Sequence, residues 1–267
     1  MRRLSGASAI APLFVPGNRI DRILKAAASG ADAVIIDLED AVPDDQKEAA
    51  RGALAGALPP FPTYIRVNGD QTRWHADDLL AAAKLPIAGV ILPKAEMGDA
   101  IACWTGPHPL IALIESARGL ADARIIAALP FVERLAFGSV DFCADLGCAH
   151  AREPLLAARL EIVLASRLAG IEQPLDGVTL STSDAEEAES DARYAADLGF
   201  GGKLCIHPKQ IAPVLHGFAP GAVELVWAQR IADGEGGAVA VDGAMVDAPV
   251  RERAHAILRR HARSRGA

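Results

Sequence analysis

Eight short apolar runs, each separated from the next by a stretch long enough for one helix, constrain this chain more than any other feature. They are Leu13-Phe14-Val15, Ala33–Asp37, Thr63–Val67, Gly89–Leu92, Leu110–Ile114, Arg134–Phe137, Gly177–Leu180 and Lys203–Ile206. Runs rich in β-branched residues and leucine, without polar alternation, suit strands covered on both faces and so a parallel sheet. The intervening segments carry helical spacing. In residues 152–170, Leu156, Leu160, Val163 and Leu164 share one side, an apolar stripe of the kind that faces a core, and Gly170 ends the helix. Eight strand–helix units in about 220 residues is the count of a (β/α)8 barrel. The competing open, doubly wound sheet is disfavoured because no G-x-G-x-x-G follows the first strand. The expected architecture is therefore an α/β TIM barrel over residues 1–220, with a C-terminal helical extension over 221–267. In that extension Gly221–Ala232 reads as a helix, Gly234–Gly243 as a turn or linker, and Ala248–Arg263 as an arginine-rich amphipathic helix. It is more than a barrel needs and suits a lid or a subunit contact.

Composition narrows the partners. With 51% apolar residues in 267, the chain can bury a large core. Charges are expected to interrupt every apolar stretch before the roughly 18 residues of a membrane span. A net charge of −7 argues against nucleic acid, whose phosphates need a basic face. The four cysteines, Cys103, Cys143, Cys148 and Cys205, have neither zinc-site nor disulfide-framework spacing, which suits a reducing, cytoplasmic setting. Met1-Arg2-Arg3-Leu4 leads into a proline-interrupted stretch and reads as mature sequence, not as a signal peptide.

Barrel active sites gather where the strands end, so the polar residues closing each run matter most. Run 2 closes with Asp37, Glu39 and Asp40, run 3 with Arg66 and Asn68, and run 4 with Lys94. Run 5 closes with Glu115, with Arg118 beyond, run 6 with Asp141, and run 8 with His207 and Lys209. Two carboxylates converging at about 4 Å repel by roughly 4 kcal/mol at an effective dielectric near 20. Either one takes a proton or a cation sits between them. For Glu115 and Asp141 a hard, oxygen-seeking ion such as Mg²⁺ fits; the competing reading pairs both acids with Arg66 and Arg118. Lys94 could form a Schiff base if burial lowered its pKa, but with acids so plentiful it is better read as their neutraliser. His207, in Ile206-His207-Pro208, is read as structural. The acidic stretch Asp184–Asp191 is read as a solvated helix face capped by Ser183.

Eight pieces in order resemble the citrate lyase β-subunit-like proteins, within the HpcH/HpaI aldolase/citrate lyase superfamily that includes citramalyl-CoA and malyl-CoA lyases. They are Leu13-Phe14-Val15-Pro16-Gly17, Asp37-Leu38-Glu39-Asp40-Ala41-Val42, Ile65-Arg66-Val67-Asn68, Leu92-Pro93-Lys94, Ile114-Glu115-Ser116-Ala117-Arg118-Gly119, Asp141 with Asp145-Leu146-Gly147, Gly202–Pro208, and Gly243-Ala244-Met245-Val246-Asp247. The resemblance implies a carbon–carbon lyase with a TIM barrel and Mg²⁺. It would cleave or form a 3-hydroxyacyl thioester of the citryl, citramalyl or malyl type, giving an acetyl thioester and a 2-oxo acid. By resemblance Glu115 and Asp141 match metal ligands, and Glu115 and Arg66 lie against substrate. Glu39 and Asp40 match acids near the metal. Asp247 matches a lid aspartate that reaches a neighbouring subunit's barrel and handles the acetyl proton. The resemblance also implies CoA or an acyl-carrier protein as the thioester carrier, and a homo-oligomer, with a trimer favoured. Departures fall around the mouth. Ala11-Pro12 stand where a basic and a small polar residue are usual, Val140 stands where Glu precedes the metal aspartate, and Cys148-Ala149-His150 lacks the usual glycines. They leave substrate identity open. Two other readings stand beside the lyase: a metal-dependent barrel aldolase on free hydroxy-2-oxo acids, and a non-catalytic acyl-CoA-binding barrel.

Overall fold

The structure is a computed structural model; it describes residues 9–98, 101, 104–232, 239–241 and 244–266. Met1–Leu4, Cys103 and Gly243 lie outside these residues. Eight parallel strands form one sheet in chain order: β1 Leu13–Pro16, β2 Val34–Asp37, β3 Thr63–Arg66, β4 Gly89–Leu92, β5 Leu110–Ile114, β6 Val132–Phe137, β7 Glu172–Asp176 and β8 Gly202–Lys203. The sheet closes on itself. Phe14 N–H donates to Cys205 O (2.8 Å), Cys205 N–H to Pro12 O (2.9 Å) and Lys203 N–H to Ile10 O (2.7 Å). The fold is a (β/α)8 barrel.

Each strand is apolar on both sides because each side has its own core. One set, including Ile35, Tyr64, Ile91, Leu113, Ala136 and Leu175, fills the barrel interior. The alternate set, including Val34, Ile36, Ile65, Val90 and Ile114, packs under the surrounding helices. This two-residue period decides which polar side chains enter the mouth. Two residues beyond Ile35 comes Asp37, beyond Tyr64 comes Arg66, beyond Leu113 comes Glu115, and beyond Ala136 comes Gly138. At the opposite end Arg134 plugs the barrel, its guanidinium donating to Gln173 O (2.5 Å) and Ala9 O (2.7 Å).

Several expectations change. The seventh strand is Glu172–Asp176, and Gly177–Leu180 is the loop beyond it. Exposed Glu172 and Gln173 hide the strand, while the apolar loop imitates one. In the Arg152–Ala169 helix the buried side is Leu155, Ala158, Arg159, Ile162 and Ala165, whereas Leu156, Leu160 and Leu164 are exposed. The acidic helix Ala185–Leu198 is capped by Asp184, which accepts from Glu187 N–H (3.0 Å), one residue past Ser183. Part of the segment read as a linker is a two-stranded antiparallel ribbon, Val239–Val241 with Ala244–Val246. Helices Ala222–Ala232 and Ala248–Gly266 flank it, and Ala228, Ile231, Val246, Ala254 and Ile257 form a small core of their own. Finally, Pro208–Ala232 is by length and composition apolar enough to cross a membrane, with a mean hydropathy of 1.3. Charges nonetheless interrupt it as expected, at Lys209, Glu224 and Arg230. In the fold the segment is a 3₁₀ turn followed by helices Ile211–Phe218 and Ala222–Ala232, of 8 and 11 residues, broken at the extended Ala219. Neither helix reaches the ~20 residues of a span.

Candidate active site

The C-terminal ends of the strands enclose a cleft of about 390 Å³, lined among others by Phe14, Asp37, Asp40, Arg66, Glu115, Gly138 and Asp141. Arg66 is its fixed cation. Its Nε and Nη2 donate to the two oxygens of Asp37, each at 2.7 Å, and its guanidinium lies over the Phe14 ring at 5.0 Å. Asp37 also accepts from the N–H groups of Glu39 (2.9 Å) and Ala41 (3.0 Å), so one carboxylate shapes the turn and aims the arginine. Burial alone would lower the Arg66 pKa, but Asp37, Glu39 and Asp40 outweigh it and raise it. Arg66 Nη1 stands 3.1 Å from Glu39 Oε2 and 3.5 Å from Asp40 Oδ2.

Glu39 is buried, and burial raises its pKa even though Arg66 and Lys94 favour the charged form. Lys94 donates from Nζ to Glu39 Oε1 at 3.0 Å. Burial opposes the charge on Lys94, but Glu39 prevails and its pKa rises, so it remains an ammonium and neutralises acid as expected. Its φ of 49° places it in the left-handed region uncommon for non-glycine residues, and its N–H donates to Glu115 Oε1 at 2.6 Å.

Glu115 is the most perturbed acid of the mouth. Burial, then repulsion from Glu39 and Asp141, pushes its carboxyl up to about 8. Neither Glu115 nor Asp141 forms an ion pair among the described residues, so the pairing with Arg66 and Arg118 is not what the fold adopts. Arg118 instead points to Glu96, at 3.9 Å. Asp141 lies in the first turn of the Ser139–Leu146 helix, just past β6 rather than on it. Gly138 makes room between them: a Cβ there would sit 2.5 Å from Glu115 Oε2. Among the described residues no three His, Cys, Asp or Glu side chains already converge on one point. Two unpaired carboxylates in an acid-rich, concave site fit a hard divalent cation that draws its other ligands from water and substrate.

Arg66, Glu39, Asp40, Glu115 and Asp141 thus come together at one mouth. Asp247 does not join the residues that line the cleft. It precedes the Ala248–Gly266 helix, where its Oδ1 accepts from Val250 N–H at 3.2 Å. His207 is structural, its Nδ1 accepting from Lys209 N–H at 3.2 Å.

A family model described as HpcH/HpaI aldolase/citrate lyase matches residues 11–208. The chain belongs to this family. It is 40% identical over 259 residues to a citrate lyase subunit beta-like protein of Mycobacterium tuberculosis, covering 93% of this chain and 94% of that one. It is 33% identical over 228 residues to a (3S)-malyl-CoA thioesterase of Cereibacter sphaeroides, covering 82% and 80%. A crystal structure of the CitE protein of Mycobacterium tuberculosis, in complex with magnesium, acetoacetate and coenzyme A, superposes with a TM-score of 0.87 at 39% identity, over 96% of this chain and 99% of that one.

Within this citrate lyase β-like barrel, sequence reasoning gave no role to two groups. Asp37 stood among the strand-ending acids; its bidentate grip on Arg66 follows from the side-by-side register of β2 and β3, which pairs the two residues. Lys47 donates from Nζ to Leu38 O (3.0 Å), Glu39 O (2.6 Å) and Asn68 Oδ1 (2.7 Å), pinning the loop that carries Glu39. The sequence shows only a lysine after an acidic stretch; its burial is visible in the fold alone.

Proposed function

We propose that this chain is a Mg²⁺-dependent carbon–carbon lyase acting on 3-hydroxyacyl thioesters of the citryl, citramalyl or malyl type. The observation that carries this reading is Glu115: a buried carboxyl without an ion-pair partner, beside Asp141 and across the mouth from a rigidly held arginine. Glu115 and Asp141 would hold the Mg²⁺, which when bound supplies Lewis acidity toward the substrate's hydroxyl and carboxylate oxygens. Arg66 offers a preorganised guanidinium to the enolate oxygen that the acetyl thioester gains as the carbon–carbon bond breaks. Asp37 orients it at no cost during the reaction. Replacing the fork by a point charge, Arg66→Lys, should cost ~100-fold in turnover. Glu39 and Asp40 line the mouth as proton acceptors working through water. Asp247 protonates the enolate carbon to complete the acetyl thioester. Its position as a helix cap outside the cleft supports delivery to a neighbouring copy's barrel. Residues 1–220 then form the catalytic barrel and 221–267 the lid of a cytoplasmic homo-oligomer.

The test is a panel of citryl-, citramalyl- and malyl-CoA with Mg²⁺ or EDTA, following 2-oxo acid and free CoA separately. EDTA-sensitive 2-oxo acid release supports the lyase. Free CoA without 2-oxo acid supports a second reading, thioester hydrolysis, favoured by the identity to the malyl-CoA thioesterase. Activity only on free hydroxy-2-oxo acids would move the assignment to an aldolase.

A further inference from the structure

Two thiols meet at the end of the helix that carries Asp141. The Ser139–Leu146 helix stops at Gly147, whose φ of 71° lies in the left-handed region. The N–H groups of Gly147 and Cys148 both donate to Cys143 O, at 2.9 and 3.1 Å. This is a turn by which helices commonly end, and it brings the side chains at its two ends together, usually as an apolar contact. Here both side chains are cysteines, with Sγ 3.7 Å from Sγ. A spacing of five residues carries no disulfide signature in a sequence; the turn supplies the closeness.

A disulfide bond is about 2.05 Å long, so the two sulfurs need to approach by about 1.7 Å. Their surroundings divide the work. Cys148 is partly exposed and meets an oxidant from solvent, whereas Cys143 is buried directly behind it. An accessible thiol backed by a second one is the arrangement of a reversible oxidation site. Cys205 makes the contrast: it is fully buried, with its Sγ on Lys203 O at 3.7 Å. In a reducing setting such a pair rests as two thiols, and its disulfide is a transient, sensing one.

We propose that Cys143 and Cys148 are a reversible redox staple, in which a hydroperoxide oxidises Cys148, Cys143 closes the disulfide, and the cross-link holds shut the turn behind the helix that carries Asp141. The Cys148 sulfur attacks the peroxide, the O–O bond breaks, and a sulfenic acid forms with release of water or an alcohol. The Cys143 sulfur then attacks the Cys148 sulfur, the S–O bond breaks, and the hydroxyl leaves as water with the Cys143 proton. The two thiols lose two electrons and the peroxide gains them. Once closed, the link removes the open states of the turn, so the helix cannot fray from that end. The proposal is independent of the lyase reading, since neither thiol is among the residues that line the cleft.

Hydrogen peroxide applied to the full chain, with peptide mapping by mass spectrometry, tests it. One disulfide should form within the chain, joining Cys143 to Cys148 with loss of two hydrogens, and dithiothreitol should reverse it. Cys143→Ser should halt Cys148 at the sulfenic acid, which dimedone traps. Phenylarsine oxide, which binds two adjacent thiols, should shield both from alkylation in the wild type and should not shield Cys143 in Cys148→Ser. After oxidation the Gly147 and Cys148 amides should exchange hydrogen ~10-fold or more slowly, with no change in Cys143→Ser treated alike. The arsenical and exchange measurements on the wild type decide the matter even if a serine variant fails to fold. Thiols that stay free under peroxide, a disulfide to another cysteine or between two chains, or cross-linked amides that exchange at the reduced rate would overturn the proposal.

Discussion

At the mouth of the barrel five carboxylates, Asp37, Glu39, Asp40, Glu115 and Asp141, share two cations, Arg66 and Lys94. Behind the sheet one carboxylate, Asp176, faces two, Arg159 at 2.8 Å and Lys203 at 3.4 Å. Both sit near strand ends and each holds a buried acid, Glu115 and Asp176, yet these two move in opposite directions. Burial would raise Asp176, but Lys203 and Arg159 outweigh it and hold its carboxyl below the ordinary range. At Glu115 burial acts with repulsion and carries the carboxyl up to about 8. Strand parity explains the division. Glu115 has the parity of Leu113 and faces the barrel interior; Asp176 follows the interior Leu175 and faces the helices, where Arg159 meets it. The rear cluster answers its one carboxylate twice over and is structural. The mouth leaves negative charge unanswered, and that excess is what a metal and a substrate would satisfy.

The sharpest way to break this contrast is to remove one acid from each cluster. Glu115→Ala or Asp141→Ala should lower Mg²⁺-dependent turnover by ~1000-fold or more while leaving the melting temperature intact, as steady-state kinetics with calorimetry would show. Asp176→Ala should do the reverse. It strands two buried cations, costs about 3–5 kcal/mol of stability in denaturant titrations, and leaves Mg²⁺ affinity where the protein remains folded.

Acidity separates the two further. Glu115 binds its proton more tightly folded, at about 8, than unfolded, near 4.5. Its contribution to stability is therefore full below pH 4.5 and is lost as pH rises toward 8 in EDTA-treated protein. Asp176, depressed in the fold, contributes above its ordinary 3.8 and loses that contribution as acid protonates it. Mg²⁺ should accordingly stabilise the chain more at pH 8.5 than at pH 6, because protons compete for Glu115. Glu115→Gln should flatten that difference in thermal melts. The smallest effect belongs to Asp247. Asp247→Ala should loosen the last helix by about 1 kcal/mol through loss of its cap, and Asp247→Asn should keep the cap while still slowing turnover.

The same parity marks how far the sequence could be read. Six strands stand where the apolar runs place them, β8 meets its run only at Lys203, and the mouth residues stand at the ends of those runs. β7 escaped because Glu172 and Gln173 make its first half polar, and with it went Asp176 and its partners. The leucines of the Arg152–Ala169 helix show the limit most plainly. Periodicity picks the stripe of Leu156, Leu160 and Leu164 as the core side of that helix, whereas the packed structure puts Leu155 and Ile162 inside and Leu156 and Leu160 outside. Nothing in a run of residues states which of two faces a sheet will cover. Asp247 is a similar case: the sequence places it before a helix, but only the structure shows that it caps that helix away from the residues lining the cleft.

The central claim, that the acid excess at the mouth is a divalent-cation site, is tested most directly by titrating the chain with Mn²⁺ and following free ion by electron paramagnetic resonance. The account predicts one Mn²⁺ per chain, displaced by Mg²⁺, with affinity reduced ~100-fold or more in Glu115→Gln and unchanged in folded Asp176→Asn. Equal affinity in wild type and Glu115→Gln would contradict it.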